Sequence, residues 1–104
     1  MTYRIVYHPE IQNDLLNISK LIADHAGVDV AQKKLGQIRA TIEVLRDTPH
    51  IGSVRSDIYE GLRAIPAAGK GVIAFTVDNE SKTVFLVSVT YAGADWISAI
   101  SIRA

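Results

Sequence analysis

Cysteine is absent from the chain, which removes disulfides and thiolate metal sites and suits a reducing compartment. Charge of one sign is not in excess either: 11 Lys and Arg stand against 11 Asp and Glu. A protein held on nucleic acid mainly by neutralising phosphates carries a basic surplus, so general nucleic-acid binding is not the first expectation, although a local patch is compatible with a balanced total. A long apolar run is missing too. The uncharged stretch from Val84 to Ala94 is far shorter than the roughly 20 residues of a spanning helix. The opening MTYRIVYHPE carries an arginine, a histidine and a glutamate where a secretory segment would be apolar. A soluble, cytoplasmic chain without membrane contact is expected. His8, His25 and His50 are scattered with no ligand spacing among them, so no metal and no other cofactor is expected.

What is present suits one domain over residues 1–104. A chain of this size buries about 65% of its unfolded surface, and 48% hydrophobic residues supply a core with apolar surface to spare for a partner. Residues 2–7 alternate as a short strand with Tyr3, Ile5 and Tyr7 on one face, and His8-Pro9 breaks it. Ile11, Leu15, Ile18 and Ile22 then form a helical stripe, with Pro9 suited to the first turn and Gly27 to the stop. In the next helix Asp29 is placed to cap, with Gln32 as its reciprocal partner; Leu35, Ile38, Ile42 and Leu45 form the stripe, and Thr48-Pro49 ends it. HIGSVRSDIYE reads as a loop. Residues 62–65, 72–77 and 83–91 read as a three-stranded meander with DNESK as a polar hairpin connection. The fold class is α+β: a small, mainly antiparallel sheet with a helical hairpin on one face, in the order β-α-α-β-β-β.

This succession resembles the RelE/ParE superfamily of bacterial toxins from type II toxin–antitoxin pairs. The resemblance covers nearly the whole chain. It begins with YRIVYHPEIQNDLLNISKLIADH, a strand and then a helix opening with a proline and the pair Asp14-Leu15. It continues through IEVLRDTPHIG, with Pro49 and Gly52 after the helix, and closes with GLRAI, VIAFTVD and VFLVSVTYAGADW. The superfamily implies one of two activities. RelE-like members are ribosome-dependent messenger-RNA endoribonucleases that work without metal, and that chemistry needs a base, an acid and several cations around the developing phosphorane charge. ParE-like members poison DNA gyrase.

Laid on the ribonuclease pattern, Arg63 falls where a first-strand lysine sits. Ile65 stands where a second basic residue is expected, Val72 replaces an arginine, and Tyr91-Ala92-Gly93 occupies the place of another. The ending VSVTYAGADW is closer to the ParE style, which commonly has a histidine at the Tyr91 position before a small turn and an Asp-Trp-like pair. The resemblance therefore implies a toxin that inhibits DNA gyrase by binding rather than an enzyme. The alternatives are a ribosome-dependent endoribonuclease using Arg63 and Tyr91, and an inactive toxin-fold binding module. The implied partner is a cognate, ParD-like antitoxin with a DNA-binding half and a C-terminal tail that folds on the toxin; the implied target is gyrase, or alternatively the ribosome and its message.

Five residues are the candidates for partner or target contact: Arg63, Ile65, Lys70, Tyr91 and Trp96. Strand alternation puts Arg63 and Ile65 on one face, and if the helices cover the Leu62 and Ala64 face, the arginine lies on the open one. Its bland alternative is a solvated arginine paired with Glu60 or Asp78. Lys70 between two glycines is either a solvent-facing tip lysine or a contact, and the helix and spacing of a phosphate-binding loop are missing. Tyr91 and Trp96 bracket the turn after the last strand, as caps on a core or as interface anchors. Glu10 and Asp14 are expected to be solvated.

Overall fold

The computed structural model describes residues 2–103. The elements run β1 (Arg4–Tyr7), α1 (Ile11–Ala26), α2 (Val28–Val44), β2 (Ser53–Val54), β3 (Arg63–Ala67), β4 (Gly71–Asp78), β5 (Thr83–Tyr91) and α3 (Trp96–Arg103). The five strands form one sheet in the order β1-β5-β4-β3-β2. β1 lies parallel to β5, and every other pair is antiparallel.

The apolar stripes build the main core. α1 buries Ile11, Ile18 and Ile22, with Leu15 half-buried beside them. α2 contributes Ala31, Leu35, Ile38 and Ile42, and Leu45 just beyond its end joins them. They meet Ile5, Ile65, Ile73, Phe75, Val84, Leu86 and Val89 from the sheet. Gly27 alone separates the two helices, at φ 96°, a conformation that favours glycine. This tight reversal corrects the expected cap: α2 starts at Val28, so Asp29 falls inside the first turn and Gly27 takes the cap position without a side-chain bond. Asp29 still places negative charge near the positive end of the helix. At the start of α1 the Glu10 N–H donates to His8 Nδ1 at 3.0 Å, so the imidazole serves an amide that the helix leaves unpaired.

The sequence reading is corrected at three further points. Within HIGSVRSDIYE, β2 pairs Val54 with Arg63 and Ser53 with Ala64, so the stretch is not wholly loop. The faces of β3 are the reverse of those expected: Ile65 and Ala67 enter the hairpin core, while Leu62 joins a second cluster with Ala74, Val87 and Ile100 on the opposite side. Gly52 goes with that choice. It holds φ +85°, and a Cβ on it would lie 2.6 Å from the Ala64 carbonyl oxygen and collide with the Ile65 side chain. Third, β5 is followed by a helix, α3, which covers part of the sheet face that was expected to be open.

α3 is fastened at three places. Asp95 accepts from the Ser98 N–H at 3.2 Å and from its hydroxyl at 2.6 Å, an N-terminal cap. Ile100, 1% exposed, enters the second cluster together with half-buried Trp96. At the far end the Arg103 guanidinium grips both oxygens of Asp14, at 2.6 and 2.8 Å. Asp14 is therefore not solvated, as its position on the first helix suggested; its side chain is 12% exposed and that of Arg103 15%. The same pair serves a bulge in β5. Ala74 faces Ser88 and Phe75 faces Leu86, leaving Val87 without an opposite residue. Beside it, the Val89 N–H donates to Asp14 at 3.0 Å and Arg103 donates to the Val87 carbonyl at 3.1 Å. The bulge changes which side chains face the helices, so that Leu86 and Val89 both reach the hairpin core.

Gly52→Ala is expected to destabilise the fold by about 2–4 kcal/mol, from left-handed strain plus overpacking against Ile65. A denaturant midpoint within error of wild type would contradict this placement of the loop against β3.

Candidate functional site

Two concave surfaces stand out, one on each side of the sheet. On the α3 side a hollow of about 250 Å³ is lined by Ser53, Arg55, Ala64, Ile65, Pro66, Val72 and Trp96. Strand alternation supplies its floor: Ala64, Pro66 and Val72 are the residues between those that face the hairpin, and Pro66 is opposite Val72 in the register. The Arg55 guanidinium carbon lies 5.4 Å from the centre of the Trp96 ring, a cation–π contact. The same guanidinium donates to both oxygens of Asp57 at 3.1 Å. That carboxylate raises the pKa of Arg55, and Arg55 in turn holds Asp57 below the usual carboxylate value. The one cation of this hollow therefore carries its own counter-charge. No histidine, lysine or tyrosine lines the surface, so it is fitted to receive apolar or aromatic groups.

On the hairpin side a groove of about 500 Å³ runs between the end of α1, the start of α2 and the β3–β4 tip. Leu21, Ile22, Ala26 and Val30 form one wall, and Ala68 and Tyr91 belong to the other. Lys34, Lys70 and His25 stand around it. Lys34 Nζ reaches 3.4 Å from the Ala68 carbonyl, which the Tyr91 hydroxyl also approaches at 3.4 Å.

The five residues singled out from sequence are dispersed over these features. Lys70 and Tyr91 come together at the groove; Tyr91 is half-buried and packs on the core, and Lys70 is exposed. Trp96 is on the other side of the sheet, half-buried at the start of α3. Ile65 is 5% exposed, belongs to the main core and also borders the α3-side hollow. Arg63 is half-buried on the hairpin side, and its Nη1 makes one long bond of 3.5 Å to the Ile51 carbonyl. Neither Glu60 nor Asp78 forms an ion pair with it among the described residues. Arg63 faces Phe75 across β3–β4 while Tyr91 faces Gly71 across β4–β5, a separation of roughly 13 Å along the strands alone. The two residues therefore stand at different heights on strands that β4 separates. Among the described residues no group of three or more His, Asp and Glu converges as a metal site. Sequence reasoning missed Arg55 and Lys34, whose surroundings depend on α3 and on the meeting of the hairpin turn with the strand tip.

This architecture, a helical hairpin on one face of a five-stranded sheet and a short helix on the other, is that of the RelE/ParE-like α+β toxins. Residues 5–96 match the family described as the ParE toxin of the type II toxin-antitoxin system parDE, and the chain belongs to that family. A chain of the chromosomal ParDE toxin–antitoxin system of P. aeruginosa is similar at a TM-score of 0.73 with 16% identity, over 88% of this chain and 97% of that one. A chain of the RelBE2 toxin–antitoxin complex of Mycobacterium tuberculosis is similar at 0.62 with 16% identity, over 88% and 100%. A mutant of the E. coli toxin RelE in the free state is similar at 0.63 with 16% identity, over 99% and 97%. At such identities the structural likeness shows the fold. No curated protein sequence matches the chain.

Two carboxylates hold the Trp96 side of the molecule. Ser98 keeps Asp95 below the usual carboxylate value, and Arg55 does the same for Asp57. A group depressed on folding contributes its full share above its unfolded pKa, about 3.9 for Asp, and loses it as pH falls through the lower folded value. Trp96 is the single tryptophan, so its fluorescence reports the result. Its emission is expected to stay constant from about pH 7 to 5 and to shift red only below about pH 4; a red shift already complete at pH 5 would contradict the assignment.

Proposed function

We propose that this family member is a toxin that inhibits DNA gyrase by binding, with no bond-making chemistry of its own, and that a cognate ParD-like antitoxin silences it through a C-terminal tail folding on the toxin. Residues 1–104 act as one toxin domain in this reading, in the cytoplasm where the target is. No described helix is long and apolar enough to cross a membrane.

The observation that carries the proposal is the poverty of cations in the hollow walled by Trp96. Cleaving a phosphodiester needs donors aimed at the charge that develops and a group to move the proton. The hollow there has one guanidinium, already neutralised by Asp57 and stacked on Trp96. Such a surface suits protein recognition, in which a tryptophan in an apolar setting is a natural anchor. We assign Trp96 to target contact. Arg63, whose donors are occupied only by the long bond to Ile51, is assigned to a partner carboxylate. The ribonuclease reading draws less support, because Arg63 and Tyr91 stand at different heights on the sheet.

Purified protein is expected to inhibit supercoiling by gyrase, and Trp96→Ala, with folding checked by circular dichroism, to lose roughly thirtyfold in potency. Unchanged supercoiling at large molar excess of folded wild type would sink the proposal. Primer extension on translated messages is expected to yield no toxin-dependent ends. Ends that disappear in Arg63→Ala and Tyr91→Phe would establish the ribonuclease instead.

A further inference from the structure

The segment from Arg55 to Leu62 is a closed loop with a fixed base. The Arg55 N–H donates to the Leu62 carbonyl at 2.7 Å, and the Leu62 N–H to the Tyr59 carbonyl at 2.9 Å. The Ile58 N–H donates back to the Arg55 carbonyl at 3.0 Å, and the Gly61 N–H to Ser56 Oγ at 3.2 Å. Leu62 is buried in the smaller core, and Ile58 packs against it. Arg55 therefore projects from a rigid origin. Its guanidinium meets two groups at once, both oxygens of Asp57 and the ring of Trp96. A planar guanidinium can be bidentate to a carboxylate and stacked on an indole together, which a lysine ammonium cannot.

These contacts contribute little to stability. The Arg55 and Asp57 side chains are 36% and 65% exposed, and ion pairs that water reaches so freely are weak. Trp96 is only half-buried, at the first residue of α3, so the smaller core covers part of the indole and the guanidinium stacks on the ring from the loop. A large side chain that is frozen only when a partner arrives lowers affinity, whereas one already held does not. We propose that Arg55, locked by Asp57, is the positioning residue for target recognition: it clamps the Trp96 indole in the orientation in which it walls the hollow beside Pro66 and Val72. The arginine acts through the tryptophan and need not touch the target. The proposal rests on the gyrase reading above for the identity of that target alone, because the clamp is built entirely from this chain.

Because Trp96 is the single tryptophan, time-resolved fluorescence anisotropy of the whole folded protein reads the clamp with no partner present. In wild type the indole is expected to turn with the protein. In Arg55→Met and in Asp57→Ala it is expected to gain a fast local motion. Asp57→Ala should add nothing in the Arg55→Met background, since it acts through the arginine. The denaturant midpoint and the amide resonances of Ile100 and Arg103 should stay those of wild type, which a loosened α3 would not allow. In the supercoiling assay each single variant is expected to inhibit gyrase about three- to tenfold less potently. An indole as immobile in both variants as in wild type, or a freed indole with undiminished inhibition, would overturn the proposal. So would a loss of inhibition that tracks a fall in the denaturant midpoint. Wild-type protein without effect on gyrase removes the gyrase reading alone, and the anisotropy still decides whether the clamp exists.

Discussion

A carboxylate on the first helix and a guanidinium at the end of the last join the two sides of this molecule. The bulge at Val87 turns a backbone carbonyl and a nearby N–H away from the regular strand ladder, and buried backbone groups need partners. Arg103 takes the Val87 carbonyl, Asp14 takes the Val89 N–H, and the two side chains bind each other bidentately. The Asp95 cap and the smaller core hold the rest of α3. It has eight residues, too few to stand alone in water, and it contributes Ile100 and part of Trp96 to the smaller core. Ile97 and Ile102 point outward, at 42% and 86% exposure. The ion pair thus anchors the far end of the helix whose first residue, Trp96, walls the sheet-face hollow.

That arrangement divides the surface by chemistry. On the α3 side the arginine, its aspartate and the tryptophan satisfy one another and leave an apolar, charge-balanced hollow. On the hairpin side two lysines without carboxylate partners border an apolar groove. In the reading proposed above, the apolar, charge-balanced face serves target recognition through shape and apolar contact.

The helical stripes were legible because their periods were clean: Ile11, Ile18, Ile22, Leu35, Ile38, Ile42 and Leu45 are all buried. Residues 83–91 were legible for a similar reason, as a long apolar run between turn signals. The faces of β3 were not, since Leu62 with Ala64 and Arg63 with Ile65 are equally regular alternations. What decides between them is the loop at Gly52, crossing against Ile65, and that is a tertiary contact. The bulge has neither glycine nor proline to announce it. α3 and the role of Asp14 were hidden together, because Asp14 and Arg103 lie 89 positions apart in the chain, and nothing in the first helix says that a carboxylate facing the sheet will be met there. Lys34 was passed over for the same reason: its value lies in what the β3–β4 tip brings near it. Of the five residues singled out in advance, Lys70, Tyr91, Trp96 and Ile65 border concave surfaces, Ile65 from within the core.

The most direct test of this account is a double-mutant cycle on Asp14→Ala and Arg103→Ala, read both by denaturant unfolding and by inhibition of gyrase. If the pair fixes α3 and so builds the target-binding face, the coupling energy should be about 2 kcal/mol or more, and each single variant should lose inhibition along with native Trp96 fluorescence. Additive effects within about 0.5 kcal/mol, with inhibition intact in both single variants, would contradict it.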